Sequence, residues 1–186
     1  TSSGESGGRL SVVSGVGVVT SGALLLRTAN AGTAGVSGQL VLSTGTAGQG
    51  NSGALYIGSG TATSGRGGAL YVTVGSGNSG AGGELVLSAG TSSDESGGRL
   101  SVLAGVGLKT SGALLLRTAN SGSSGVSGQL VLSTGTASKG NSGALYISSG
   151  TAMSGRGGAV YVTVGSGDSG AGGELVLSAG TSSGES

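Results

Sequence analysis

The sequence predicts an all-β chain built as a parallel β-solenoid of about 15-residue units, grouped into a 90-residue higher-order repeat. Three observations lead there. Residues 1–90 and 91–180 align without a gap and differ at 14 positions, leaving 76 of 90 identical. Within each block a short apolar stretch returns six times, and inside each stretch the apolar residues alternate, which is the period of a strand. Glycine, at 46 of 186 residues, interrupts the chain every few positions and costs about 1 kcal/mol each in a helix interior, so helix is disfavoured.

The units follow in order from their lead residues. In the first block these are Leu10, Leu24, Leu40, Leu55, Leu70 and Leu85; in the second they are Leu100, Leu114, Leu130, Leu145, Val160 and Leu175. The steps run 14, 16, 15, 15, 15 and 15, so one short step is compensated by one long step. Two residues after each lead comes a second apolar residue (Val12, Leu26, Leu42, Ile57, Val72, Leu87 and their counterparts). Two further on lies a smaller residue: Ser14, Thr28, Thr44, Ser59, Val74, Ala89 and their counterparts. In Gly68–Gly75, Leu70, Val72 and Val74 point to one face and Ala69, Tyr71 and Thr73 to the other.

About eight residues of Gly, Ser, Thr, Ala and Asn separate successive stretches, as in 45–52 and 75–82. Hairpin loops are usually about 2–5 residues. Longer links of near-constant length suit a chain that coils and returns parallel to itself, with glycines at the corners. Leu, Val and Ile would then stack as inward ladders, either with one unit per rung or, as the alternative, with two units in a 30-residue rung. The domain reading follows the repeat: 1–90 as a first six-unit block, 91–180 as a second, and 181–186 as the start of a further block, the whole being a segment of a longer array.

The central residue of each stretch forms an outward column. It reads Leu25, Val41, Tyr56, Tyr71 and Val86, and again Leu115, Val131, Tyr146, Tyr161 and Val176, with Ser11 and Ser101 as the polar members. Ten of twelve positions are therefore apolar or tyrosine. Strand propensity alone favours such residues. Continuous runs such as Leu24-Leu25-Leu26 also characterise sheets covered on both faces. Exposed side by side, these residues would exceed the apolar patch of an ordinary monomer. The expected cover is another copy, giving a laterally packed filament, tube or coat. Glu84 and Arg99 hold the same position in successive units and are expected to act as a register ion pair. Open strand edges at the two ends would support end-to-end addition.

Charge and chemistry narrow the function further. Eight Lys/Arg against seven Asp/Glu give a net charge of +1, with no basic patch for nucleic acid. No apolar run approaches about 18 residues, so membrane insertion is not expected. The chain has no His or Cys for metal ligation, a triad or a thiol nucleophile, so no cofactor, metal or catalytic residue is expected and the protein is read as non-enzymatic. Asp94-Glu95, the one adjacent acidic pair, falls in a turn and replaces Gly4-Glu5 of the first block. Glycine-rich matches to phosphate-loop patterns lack the Lys-Ser/Thr ending. The alternative function is a surface-binding module that uses a flat face, either adhering to an extracellular polymer through the tyrosines or binding ice. Thr46, Thr61 and Thr91 lie in the links rather than in the outward column, which counts against ice.

The stretches Arg27–Gly38 (Arg-Thr-Ala-Asn-Ala-Gly-Thr-Ala-Gly-Val-Ser-Gly) and Val74–Gly83 (Val-Gly-Ser-Gly-Asn-Ser-Gly-Ala-Gly-Gly) resemble the large Gly/Ser-rich tandem-repeat proteins of diatoms and related algae. The resemblance runs through the whole segment. It implies an extracellular or cell-surface setting, and it carries no defined activity and no site residues. The expected function is a self-assembling extracellular structural protein whose chief partner is itself, both laterally and end to end.

Overall fold

The computed structural model describes residues 7–182. The chain groups into two units, Thr1–Ser88 and Ala89–Ser186. The start of a further block expected at 181–186 lies outside the described residues from 183 on.

Each unit is a succession of extended segments separated by single sharp bends. The bends fall at 18–19, 33–34, 48–50, 63–65 and 78–80 in the first unit. In the second they fall at 93–95, 108–109, 123–125, 138–140, 153–155 and 168–170. Every bend sits in a link between apolar stretches, and no bend falls within an apolar stretch. Period-2 alternation survives as a difference in exposure: Leu55 is 54% exposed, Tyr56 90% and Ile57 63%.

Nine of the eleven links are closed by a hydrogen bond at the mouth, those at Gly53 and Gly128 being the exceptions. The Gly22 N–H donates to the Gly15 carbonyl at 2.8 Å, and the same bond recurs from Gly83 to Gly75, Gly98 to Gly90, Gly112 to Gly105, Gly158 to Gly150 and Gly173 to Gly165. A side-chain clasp accompanies or replaces it. Ser14 Oγ donates to the Gly22 carbonyl at 2.8 Å, and Ser59 Oγ does the same to Gly68 at 2.8 Å. Thr28 Oγ1 donates to Gly38 at 3.2 Å, Thr134 Oγ1 to Gly143 at 3.0 Å and Ser149 Oγ to Gly158 at 2.8 Å. These clasps span 8 residues at Ser14, 10 at Thr28 and 9 at Ser59. The short and long steps of the repeat are therefore absorbed inside the links, and the segments keep their length.

The glycine two places before each lead residue makes this closure possible. At all eleven links from Gly22 to Gly173, a Cβ added to that glycine would lie 2.5–3.6 Å from a side-chain atom of the residue four places after the preceding lead. Gly38 opposes Thr28, Gly68 opposes Ser59 and Gly128 opposes Thr118 in this way. Both members have the same parity as the lead, so a segment turns its lead face toward the link before it and the link after it. Ser14, Thr28 and Thr118, at the mouths of their links, are half-buried where the rest of the described chain is exposed.

This arrangement overturns the expected all-β parallel solenoid, in both its 15-residue and its 30-residue form. Among the described residues there is no β-strand and no helix. A solenoid requires each segment to pair edge to edge with the next rung, bringing residues one or two units apart together through backbone bonds. Here few residues twelve or more positions apart approach one another, and the backbone bonds join only glycines at the mouths of the links. Consecutive segments meet only at the mouth, through a side chain set against a glycine and at most one backbone bond, so their edges stay unpaired beyond it. The inward ladders of Leu, Val and Ile do not form, and among the described residues no hydrophobic side chain is buried. The chain exposes 18803 Å², against about 7,700 Å² for a folded monomer of its mass.

Candidate functional site

The outward column is the most exposed regular feature of the apolar segments. Tyr56, Tyr71, Tyr146 and Tyr161 are between 85% and 90% exposed, and they are all the aromatic residues the chain has. Leu25, Val41, Val86, Leu115, Val131 and Val176 are exposed as well. The lead residues from Leu24 to Leu85 are only slightly more than half exposed, because they lie on the face turned toward the link mouths. Sequence periodicity thus separates two faces of each segment. The tyrosine-bearing face is open, and the lead face is partly shielded.

The column does not have a covered counterpart within its own unit. Glu84 lies in the first unit and Arg99 in the second, each at the entry to its segment. The acidic pair Asp94-Glu95 lies in the bend 93–95, where Ser92 Oγ accepts from the Glu95 N–H at 2.9 Å and from the Asp94 N–H at 3.4 Å. The Ser92 hydroxyl thereby ties the bend, and both acidic residues are exposed. Lys109 occupies the next bend and Lys139 a later one, so several of the charges sit at the tips of links. Among the described residues no cavity is present, no three His, Cys, Asp or Glu gather as a metal site would require, and no helix is long and apolar enough to cross a membrane.

Two features escaped the sequence reading. One is the hydroxyl-to-glycine clasp. Its signal was present as a Ser or Thr four places after a lead, paired with a fixed glycine two places before the next lead. The other is an apolar link: Val16, Val18 and Val19 are at least 93% exposed, as are Val106 and Leu108 at the equivalent link of the second unit. Gly17 and Gly107 let these links fold tightly, because the carbonyl of Thr20 or Thr110 lies against the glycine where a Cβ would be. No protein family, curated protein or solved structure matches this chain.

Proposed function

We propose that the protein is a non-enzymatic structural repeat protein that assembles with copies of itself through the outward apolar and tyrosine column. One observation carries the reading: the chain places Leu, Val, Ile and Tyr at fixed intervals and leaves them in water. Burying apolar area is worth roughly 25 cal/mol per Å². Periodic apolar residues with no core among the described residues gain that energy from a partner, and a second copy offers the same spacing. The extracellular or cell-surface setting belongs to this proposal through the resemblance to algal repeat proteins alone.

The four open tyrosines favour a second reading, adhesion to an extracellular polymer by ring stacking. Sedimentation velocity over a hundredfold concentration range, with iodide quenching of tyrosine fluorescence, separates the two. Self-assembly gives a sedimentation coefficient that rises with concentration, with quenching that falls as the tyrosines are covered. Tyr71→Lys together with Tyr161→Lys then suppresses it. A monomer at every concentration, quenched equally throughout, rejects self-assembly, and retention on polysaccharide would then establish adhesion. Unchanged assembly of the double variant rejects the tyrosine column as the contact.

A further inference from the structure

We infer that the extended segments take up a second copy of this chain edge to edge, in parallel and offset by one segment, with Glu84 of one copy beside Arg99 of the other. The inference rests on the self-assembly proposed above and deepens it, by assigning the backbone edges rather than the tyrosine faces as the surface that sets the register.

The first support is the state of the backbone. Between bends the segments run straight, and their N–H and C=O groups make no backbone hydrogen bonds among the described residues; such bonds are confined to the link mouths. A straight, apolar segment with both edges open is a template for strand pairing. Within a chain the segments are joined only at the link mouths, so the edges between bends are free for another molecule. The 18803 Å² exposed is many times the roughly 800 Å² per partner that a stable interface covers.

The second support is charge complementarity. The position just before the lead is charged in four segments only: Arg9, Glu84, Arg99 and Glu174. Parallel pairing with no offset sets Glu84 beside Glu84 and Arg99 beside Arg99, and a 90-residue shift also opposes like charges. An offset of one segment leaves eleven of the twelve segments paired and brings Glu84 to Arg99. The same offset brings the bend holding Asp94 and Glu95 beside the bend holding Lys109. An offset of five segments also joins opposite charges at the segment entries, but it pairs only seven segments and sets Asp94 and Glu95 beside Asp168.

Isotope-edited infrared spectroscopy on mixtures of ¹³C-labelled and unlabelled chain tests the pairing, and charge reversal tests the offset. Assembled material is expected to show a β amide band that shifts as labelled chains are diluted by unlabelled ones. Glu84→Arg is expected to raise the monomer concentration coexisting with assemblies about two- to fivefold, and Glu84→Arg with Arg99→Glu to restore it. Assemblies whose amide band is indifferent to isotope dilution overturn edge pairing while leaving self-assembly through the tyrosine faces standing. A double variant as impaired as the single one overturns the offset. If nothing sediments at any concentration, both this inference and the self-assembly beneath it fall.

Discussion

The Ser59 hydroxyl donates to the carbonyl of Gly68 at 2.8 Å, and ninety residues later Ser149 does the same to Gly158 at 2.8 Å. The two links differ in one respect. The Gly158 N–H also reaches the Gly150 carbonyl, at 3.4 Å, whereas the corresponding backbone bond is not made between Gly68 and Gly60. Ser59→Ala therefore removes the clasp of its link, while Ser149→Ala leaves a backbone bond in place. An exposed hydrogen bond of this kind contributes about 0.5–1 kcal/mol. Backbone ¹⁵N relaxation is expected to show faster motion at residues 63–65 in Ser59→Ala, and a smaller change at 153–155 in Ser149→Ala. Equal effects at both links would show that the hydroxyl does not hold them closed.

Neighbouring glycines in the same link differ in what they tolerate. A Cβ at Gly68 would lie 3.2 Å from Ser59 Cβ, whereas a Cβ at Gly67 would meet nothing within 4 Å. Gly68→Val is expected to push the link open at a cost of about 1–3 kcal/mol, the range for overpacking a close contact. Gly67→Val should leave it closed. The nuclear Overhauser effect between Ser59 Hβ and residue 68 reads the outcome directly. Its survival in Gly68→Val would refute the close-approach role of this glycine.

How far the sequence reveals this structure can be judged at the same link. Leu55, Tyr56 and Ile57 alternate, and the structure keeps that alternation as a straight segment with one open and one partly shielded face. The bends, too, fall in the links that the repeat marks out. Pairing was not legible. Alternation fixes which way side chains point, but edge bonds depend on where the link returns the chain. Ser59 set against Gly68 brings the segments together at the mouth of the link only, and no backbone bonds follow along their edges. The glycine at that position was legible as a site of close approach, but not its partner, because Ser and Thr are abundant throughout the chain and only some of them stand opposite a glycine.

Gly50 and Gly140 hold φ near +92° and +90°, which side chains with a Cβ rarely adopt, and neither would bring a Cβ against any neighbour. The penalty for alanine there is conformational alone, roughly 1–2 kcal/mol. Gly50→Ala is expected to displace the bend at 48–50, seen as changed chemical shifts from Gln49 to Ser52. Gly48→Ala is the control, since that position has no positive φ and its counterpart is already Ser138. Matching shift changes in both variants would mean that the left-handed conformation at residue 50 does not set the bend.

The dilute chain should unfold without a cooperative heat transition. Cooperativity arises when distant parts of a chain bury one another, so that losing one contact exposes the next. Here the hydrogen bonds across the links, such as Thr28 to Gly38, close loops of about ten residues, and no hydrophobic side chain is buried among the described residues. Each link opens independently, and its opening exposes little new apolar surface. An ordinary folded domain of 186 residues would absorb about 130 kcal/mol near its midpoint. Differential scanning calorimetry of the dilute chain is expected to give a flat trace instead. At concentrations where copies associate, an endotherm should emerge, and its midpoint should rise with concentration, because partner binding stabilises by mass action. A sharp endotherm in the dilute monomer, unchanged on further dilution, would contradict a chain held together only by its links.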